Sequence, residues 1–268
     1  MILKTSVALV GDSGVGYRPT AAQEAIEHAS SKLGIQVEQR WLETPELTTQ
    51  AGLDALNGVG GIWIVPGSPY KCLEGVLAAI RLARERTVSL LATCAGFQHV
   101  VLEYVRNVLG FNDAVHAEYE PDSAKQAISR LSCSLVGRKQ LVTFSKGSKI
   151  VSIYGRMSSE EEFYCNYGVG VDFVEALRSS NLKAVGTDQE GSIRAVELGE
   201  HPFFVGTLFI PQYSSWPDAP HPLISAFLGA TLKGGASAKS ATAKLEMSKT
   251  RAADGGNRTF RNDSLRNQ

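Results

Sequence analysis

Apolar positions in the first 110 residues fall into short unbroken runs separated by helical patterns. Residues 6–10 form one such run, closed by Gly11-Asp12-Ser13-Gly14-Val15-Gly16. Ala21, Ala25, Ile26, Ala29 and Leu33 then recur at helical spacing, so the pattern predicts a strand, a loop and a helix. A second strand is predicted at about 36–41. The run Gly61-Ile62-Trp63-Ile64-Val65 has the continuous apolar character of a parallel strand covered on both faces, and it stops at Pro66-Gly67-Ser68-Pro69. A helix over about 74–86, a buried strand over 88–92 ending on Cys94, and a helix over about 97–109 complete this part.

Strands alternating with helices predict an α/β fold: a mostly parallel sheet with helices on both faces and function at the carboxyl ends of its strands. Gly67 and Cys94 both fall at such ends. From 131 to 155 the pattern changes, and the alternating patches 140–144 and 149–154 predict antiparallel strands. Another strand–helix passage, strands at 193–198 and 203–209, and a closing helix at 223–231 follow. No internal repeat is visible. The expected layout is one domain over 1–232 and a tail over 233–268.

Composition sharpens that boundary. The chain has 268 residues, 43% hydrophobic and 20% charged, enough for one large core. Its formal charge is zero, but residues 233–268 hold eight Lys/Arg against three Asp/Glu, leaving 19 against 24 for the rest. A basic tail of +5 thus follows a body of −5. Rich in Gly, Ala, Ser and Lys and poor in apolar residues, the tail is expected to be disordered. Its cations are dispersed and only Phe260 offers an aromatic face, which argues against nucleic-acid binding. No apolar run approaches the roughly 20 residues of a membrane span and no signal-peptide core follows Met1, so the expectation is a cytoplasmic protein without membrane contact. The four cysteines, at 72, 94, 133 and 165, lack the paired spacings of a zinc site, so no metal and no cofactor is expected.

The chemistry concentrates at Ala92-Thr93-Cys94-Ala95-Gly96-Phe97-Gln98. A residue on a sharp turn between a buried strand and a helix start has its side chain thrust out near the positive end of the helix dipole. That setting activates a thiol, and the small Ala95 and Gly96 permit the turn. Local pattern leaves two readings open: a nucleophile elbow, or a small buried cysteine before a helix. The glycines at 11, 14 and 16 fit neither dinucleotide nor phosphate-loop spacing and predict a tight turn.

Several separated segments resemble, in order, the glutamine amidotransferase part of CTP synthases. They are Ala8-Leu9-Val10-Gly11, Val65-Pro66-Gly67, Cys94-Ala95-Gly96-Phe97-Gln98, the run from Glu103 to Gly110, the run from Ala117 to Asp122, and His201-Pro202-Phe203-Phe204-Val205. Together they span roughly 6–230. The resemblance implies the flavodoxin-like fold of class I amidotransferases. It implies Cys94 as a nucleophile that attacks the side-chain amide of glutamine, forms a thioester and releases ammonia. It also implies an oxyanion hole from the backbone of Gly67, Ser68 and Ala95, a substrate contact at Gln98, and Glu118 as the carboxylate that receives the α-ammonium group. The implied partners are a small amide or amino acid such as glutamine, and a separate synthase subunit or a second copy of this chain.

Three departures qualify that inheritance. Where the family carries a histidine and a glutamate beside the cysteine, this sequence has Ile210 and Gln212 in Phe209-Ile210-Pro211-Gln212. Asn166, within Phe163-Tyr164-Cys165-Asn166-Tyr167, replaces the arginine that holds the glutamine carboxylate. The synthase domain that precedes the family module is not in these residues, so the expectation is a chain that does not make CTP alone. Of the five histidines, His116 is the preferred substitute base, although a surface or loop-stabilising role ranks ahead of that one for it; His99 lies on the elbow helix, His201 and His221 read as structural, and His28 reads as surface. Cys72 and Cys165 are the thiols that could approach Cys94. The functions left in competition are a Cys94-dependent amidase, a non-catalytic metabolite-binding or regulatory protein, and a full glutaminase serving a separate synthase chain.

Overall fold

The structure is a computed structural model that describes residues 2–14 and 20–233. In chain order its elements are β1 (Lys4–Val10), α1 (Ala21–Leu33), β2 (Gln36–Leu42), α2 (Gln50–Asp54), β3 (Gly61–Ile64), α3 (Leu73–Glu85), β4 (Ser89–Thr93) and α4 (Ala95–Asn107). Then come β5 (Val115–His116), β6 (Gln126–Arg130), β7 (Arg138–Phe144), α5 (Lys149–Tyr154), β8 (Ser158–Phe163), β9 (Tyr167–Val169), α6 (Val174–Arg178), β10 (Leu182–Thr187), β11 (Ile193–Leu198) and β12 (Phe204–Thr207). A helix over 222–233, α7, reaches the last described residue. The tail expected from 233 therefore lies outside the described residues except for Lys233, which still belongs to α7.

Among the described residues one sheet runs in the order β2-β1-β3-β4-β12-β11-β10-β7-β8, and a smaller sheet in the order β5-β6-β9. From β2 to β12 neighbouring strands are parallel, and from β12 to β8 they are antiparallel. The two halves follow the two sequence patterns. β3 and β4 are buried along their whole lengths, as continuous apolar runs require when both faces are covered. Trp63 packs edge-on against Phe227 of α7 at 6.1 Å between ring centroids. Ile64, pointing the opposite way, meets α4 at Gly96. Helices thus cover both faces.

α3 and α4 are joined by a paired charge. Arg84 donates from Nε to Glu103 Oε2 at 3.1 Å and from Nη2 to Oε1 at 2.7 Å. The Glu103 side chain is 1% exposed, so the fork satisfies a carboxylate that would otherwise be buried uncompensated.

One predicted strand is a helix. Residues 149–154 alternate like a strand, yet they form α5. Ser148 caps the helix by accepting from the Val151 N–H at 3.2 Å. The buried Glu197 carboxylate of β11 accepts from the Lys149 and Ile150 N–H groups at 3.0 and 2.7 Å. A side-chain cap and a carboxylate at the first turn outweigh β propensity. Among the described residues no helix is long and apolar enough to cross a membrane.

Candidate active site

β4 ends at Thr93, and the chain reverses at Cys94, whose φ of 54° and ψ of −110° lie where non-glycine residues rarely sit. The turn is held from several sides. The Cys94 N–H donates to Thr207 O at 2.8 Å, continuing the β4–β12 ladder in which Thr93 faces Thr207. Gly96 packs so tightly that a Cβ there would lie 2.4 Å from Ile64 O. Trp63 Nε1 donates to Thr93 Oγ1 at 3.1 Å. α4 starts at Ala95, two residues before the predicted helix, which makes the elbow sharper than the sequence suggested.

Cys94 opens on a cavity of about 240 Å³. Gly67, Ser68, Ala95, Gln98, Glu118, Asn166 and Ile210, each expected near the cysteine, line it too. Pro66, Val136, Tyr164, Cys165, Tyr167 and Tyr213 complete the wall. Cys165 was a candidate neighbour and lies beside Cys94, whereas Cys72 is not on the wall. No local signal marked Val136, which arrives on a loop tied back to the site by hydrogen bonds from Leu131 N–H to Asn166 O (2.8 Å) and from Leu135 N–H to Cys165 O (3.0 Å).

The Cys94 thiol is held well above its ordinary pKa, first by hydrogen bonding with Cys165 and then by burial, while the Ala95 N–H pulls the other way. Sγ lies 3.6 Å from Tyr164 O. Burial also raises the pKa of Glu118, opposed by a hydrogen bond from Ser68. Glu118 Oε2 is buried without a hydrogen-bond partner.

His116 does not serve as a substitute base facing the thiol and holds the loop instead, the other role open to it. Its Nε2 lies 2.9 Å from Gln98 Oε1, and its Nδ1 accepts the Glu118 N–H at 3.1 Å. With both ring nitrogens engaged, neither is free to take a proton from sulfur. Burial, followed by the neighbouring His99, lowers its pKa to about 2. Gln98 in turn donates from Nε2 to Tyr167 O at 3.0 Å, so His116 fixes both Gln98 and the backbone of Glu118. His99 bridges Ala95 O and the Tyr119 hydroxyl at 2.7 and 3.1 Å, and burial lowers its pKa to about 4.

Ile210 is buried against the cavity, its N–H donating to Glu162 O at 2.8 Å. Gln212 lies behind it, with Nε2 donating to Thr93 Oγ1 at 3.4 Å and Oε1 buried without a partner. His201 and His221 are buried away from the cavity, where their Nδ1 atoms accept N–H groups of Phe203 and Leu223 at 3.2 and 3.3 Å. His28 is half-buried on α1 rather than fully on the surface. Among the described residues no group of His, Cys, Asp and Glu has the arrangement to hold a metal ion.

The family described as glutamine amidotransferase class-I matches residues 20–230. The chain is similar to the CTP synthase of Sulfurisphaera tokodaii, 33% identical over 243 residues that cover 85% of this chain and 45% of that protein. It is likewise 33% identical over 220 residues to the CTP synthase of Carboxydothermus hydrogenoformans, covering 78% of this chain and 41% of that protein. The chain therefore spans less than half the length of these relatives. Among solved structures, the glutaminase domain of Trypanosoma brucei CTPS with bound acivicin shares the fold at a TM-score of 0.79 and 24% identity, over 85% of this chain and 94% of that chain.

Proposed function

This chain belongs to the class I glutamine amidotransferase family, and from that premise we propose that its Cys94 thiol attacks the carboxamide of glutamine or a related amide without a histidine beside it. The observation that carries this reading is the backbone of Cys94. A non-glycine residue at φ 54° costs on the order of 1–3 kcal/mol. That strain points the thiol into a cavity at the start of the 13-residue helix α4.

In the proposed reaction the Cys94 sulfur adds to the amide carbonyl carbon. The developing oxyanion is received by the Ala95 N–H and the backbone of Gly67 and Ser68. The C–N bond then breaks. Nitrogen leaves as ammonia carrying the thiol proton, and the acyl group remains on Cys94 as a thioester. Water hydrolyses the thioester to a carboxylic acid and restores the thiol. Without a general base the step forgoes a factor of roughly 10²–10⁴, so turnover is slow. The Glu118 charge is one of the causes that hold the thiol protonated, and a cationic group bound to Glu118 would relieve it. The ammonia would pass to a separate synthase subunit or be released, and CTP formation would require that partner.

Intact-protein mass spectrometry after incubation with candidate amides and with iodoacetamide tests this reading. One acyl group, or one carbamidomethyl group beyond those taken by other thiols such as the exposed Cys133, present on the wild type and absent in Cys94→Ser, is the expected result. A folded wild-type protein whose Cys94 stays unmodified would overturn it.

A second reading, a metabolite-binding protein without turnover, is favoured by one observation. The described residues lining the cavity include no histidine, and Ile210 occupies the wall where the family's base is expected. In that case Cys94→Ser binds its ligand as the wild type does, and no adduct forms.

A further inference from the structure

The described wall of the Cys94 cavity carries one ionisable carboxylate, Glu118, and no Lys, Arg or His. Glu118 lines the cavity and its carboxylate receives a hydrogen bond from Ser68 while Oε2 is left without a partner, so the group keeps acceptor capacity for a ligand donor. An α-amino acid brings an ammonium group that Glu118 can receive, but also a carboxylate that the wall must hold. The wall has no cation for that second charge. Asn166, an exposed residue, offers only a neutral amide, so a carboxylate there gains no counter-charge beside the anionic Glu118. Arg194 does not supply it: the residue lines a different cavity and is not on this wall, and its Nε and Nη2 both donate to Asp188 Oδ2, at 3.1 and 2.6 Å, while Nη1 is buried without a partner.

Accepting the reading that a carboxamide sits beside Cys94, we propose that the ligand of this cavity is a small primary amine bearing an amide and no carboxylate, its ammonium group on Glu118. An ω-amino amide such as 4-aminobutanamide, which is glutamine without its α-carboxylate, has that chemistry. The cavity of about 240 Å³ lies below the ~300–1,000 Å³ of sites for drug-sized molecules, so the ligand is a small metabolite. His116 belongs to the same device, because it fixes the backbone from which Glu118 projects and the amide of Gln98 beside it. Selectivity arises from a charge that the site lacks as much as from the one it keeps.

Calorimetric or ligand-observed NMR titration of the full chain with three probes tests the inference: 4-aminobutanamide, glutamine, and glutaramate, which is glutamine without its amine. The expected order is 4-aminobutanamide binding at least tenfold more tightly than glutamine, and glutaramate not at all. Glu118→Gln should abolish the advantage. Glutamine or glutaramate binding as tightly as 4-aminobutanamide overturns the inference, and so does the failure of all three to bind. The order of affinities is read without bond formation. If Cys94 forms no adduct, the thioester reading falls while this inference is still decided by the titration.

Discussion

The imidazole of His116 and the side-chain amide of Gln98 form a buried pair, 2.9 Å between Nε2 and Oε1. The pair turns the Gln98 amino group toward Tyr167 O. Of the two roles the sequence left open, proton acceptor and loop support, this histidine fits the second. Its neutral state is built into the fold, and so is that of His99.

That neutrality has a pH signature. The native values of about 4 for His99 and about 2 for His116 lie below the ~6.5 of a free imidazole. The unfolded chain therefore binds more protons below that pH. Stability is complete above pH ~6.5 and falls as pH drops toward the native values, by up to about 1.4 kcal/mol per pH unit for each histidine. Urea unfolding at pH 7, 6 and 5 should show this decline, with a shallower slope between pH 6 and 5 in His116→Gln. An equal slope in the variant would count against it.

Glu103→Leu should cost about 3 kcal/mol, because it removes the buried fork between α3 and α4 and leaves Arg84 with only the looser Glu85 contact at 3.6 Å. The double variant Arg84→Leu with Glu103→Leu should recover part of that loss. Chemical denaturation of the three proteins measures both effects, and additive losses would show that the pair is not coupled.

Gly96→Ala should destabilise by about 1–3 kcal/mol, since the added Cβ cannot be accommodated against backbone without shifting α4. Thermal unfolding reads the loss. A variant as stable as the wild type would mean that the elbow has slack.

On the proposed reading, placing a base beside Cys94 should raise its rate. Ile210→His combined with Gln212→Glu should raise Cys94-dependent ammonia release from a carboxamide by roughly 10²-fold, measured with both glutamine and 4-aminobutanamide. A folded double variant with reactive Cys94 and no gain would show that more than the missing imidazole limits the reaction.

The sheet was legible because its signals are local. Unbroken apolar runs marked β3 and β4, and the helical spacing of Ala25, Ile26 and Ala29 marked α1. The error at 149–154 has the opposite cause: Glu197, the group that fixes those residues as a helix, is 47 residues from Ile150 in sequence. The site divides in the same way. The sharp turn at Cys94 could be read from seven consecutive residues, but choosing a nucleophile over a small buried cysteine rested on the family resemblance, as did the segments carrying Gly67, Glu118, Asn166 and Ile210. Val136 could not be read, because it reaches the cavity through a loop with no pattern of its own. The choice for His116 between a substitute base and a loop-stabilising group stayed open, because it depends on which of its two nitrogens are already occupied, and no spacing in a sequence reports that.

The register that sets Thr93 opposite Thr207 has a consequence for how such a protein can diversify. Cys94 and Ile210 lie more than a hundred residues apart in the chain, yet each follows closely on one of these two adjacent strands. Sheet and chemistry are thereby stored in separate places. A substitution in the loop after β12 can change the cavity wall while every ladder bond beneath it remains, so shared architecture alone does not fix what such a protein does.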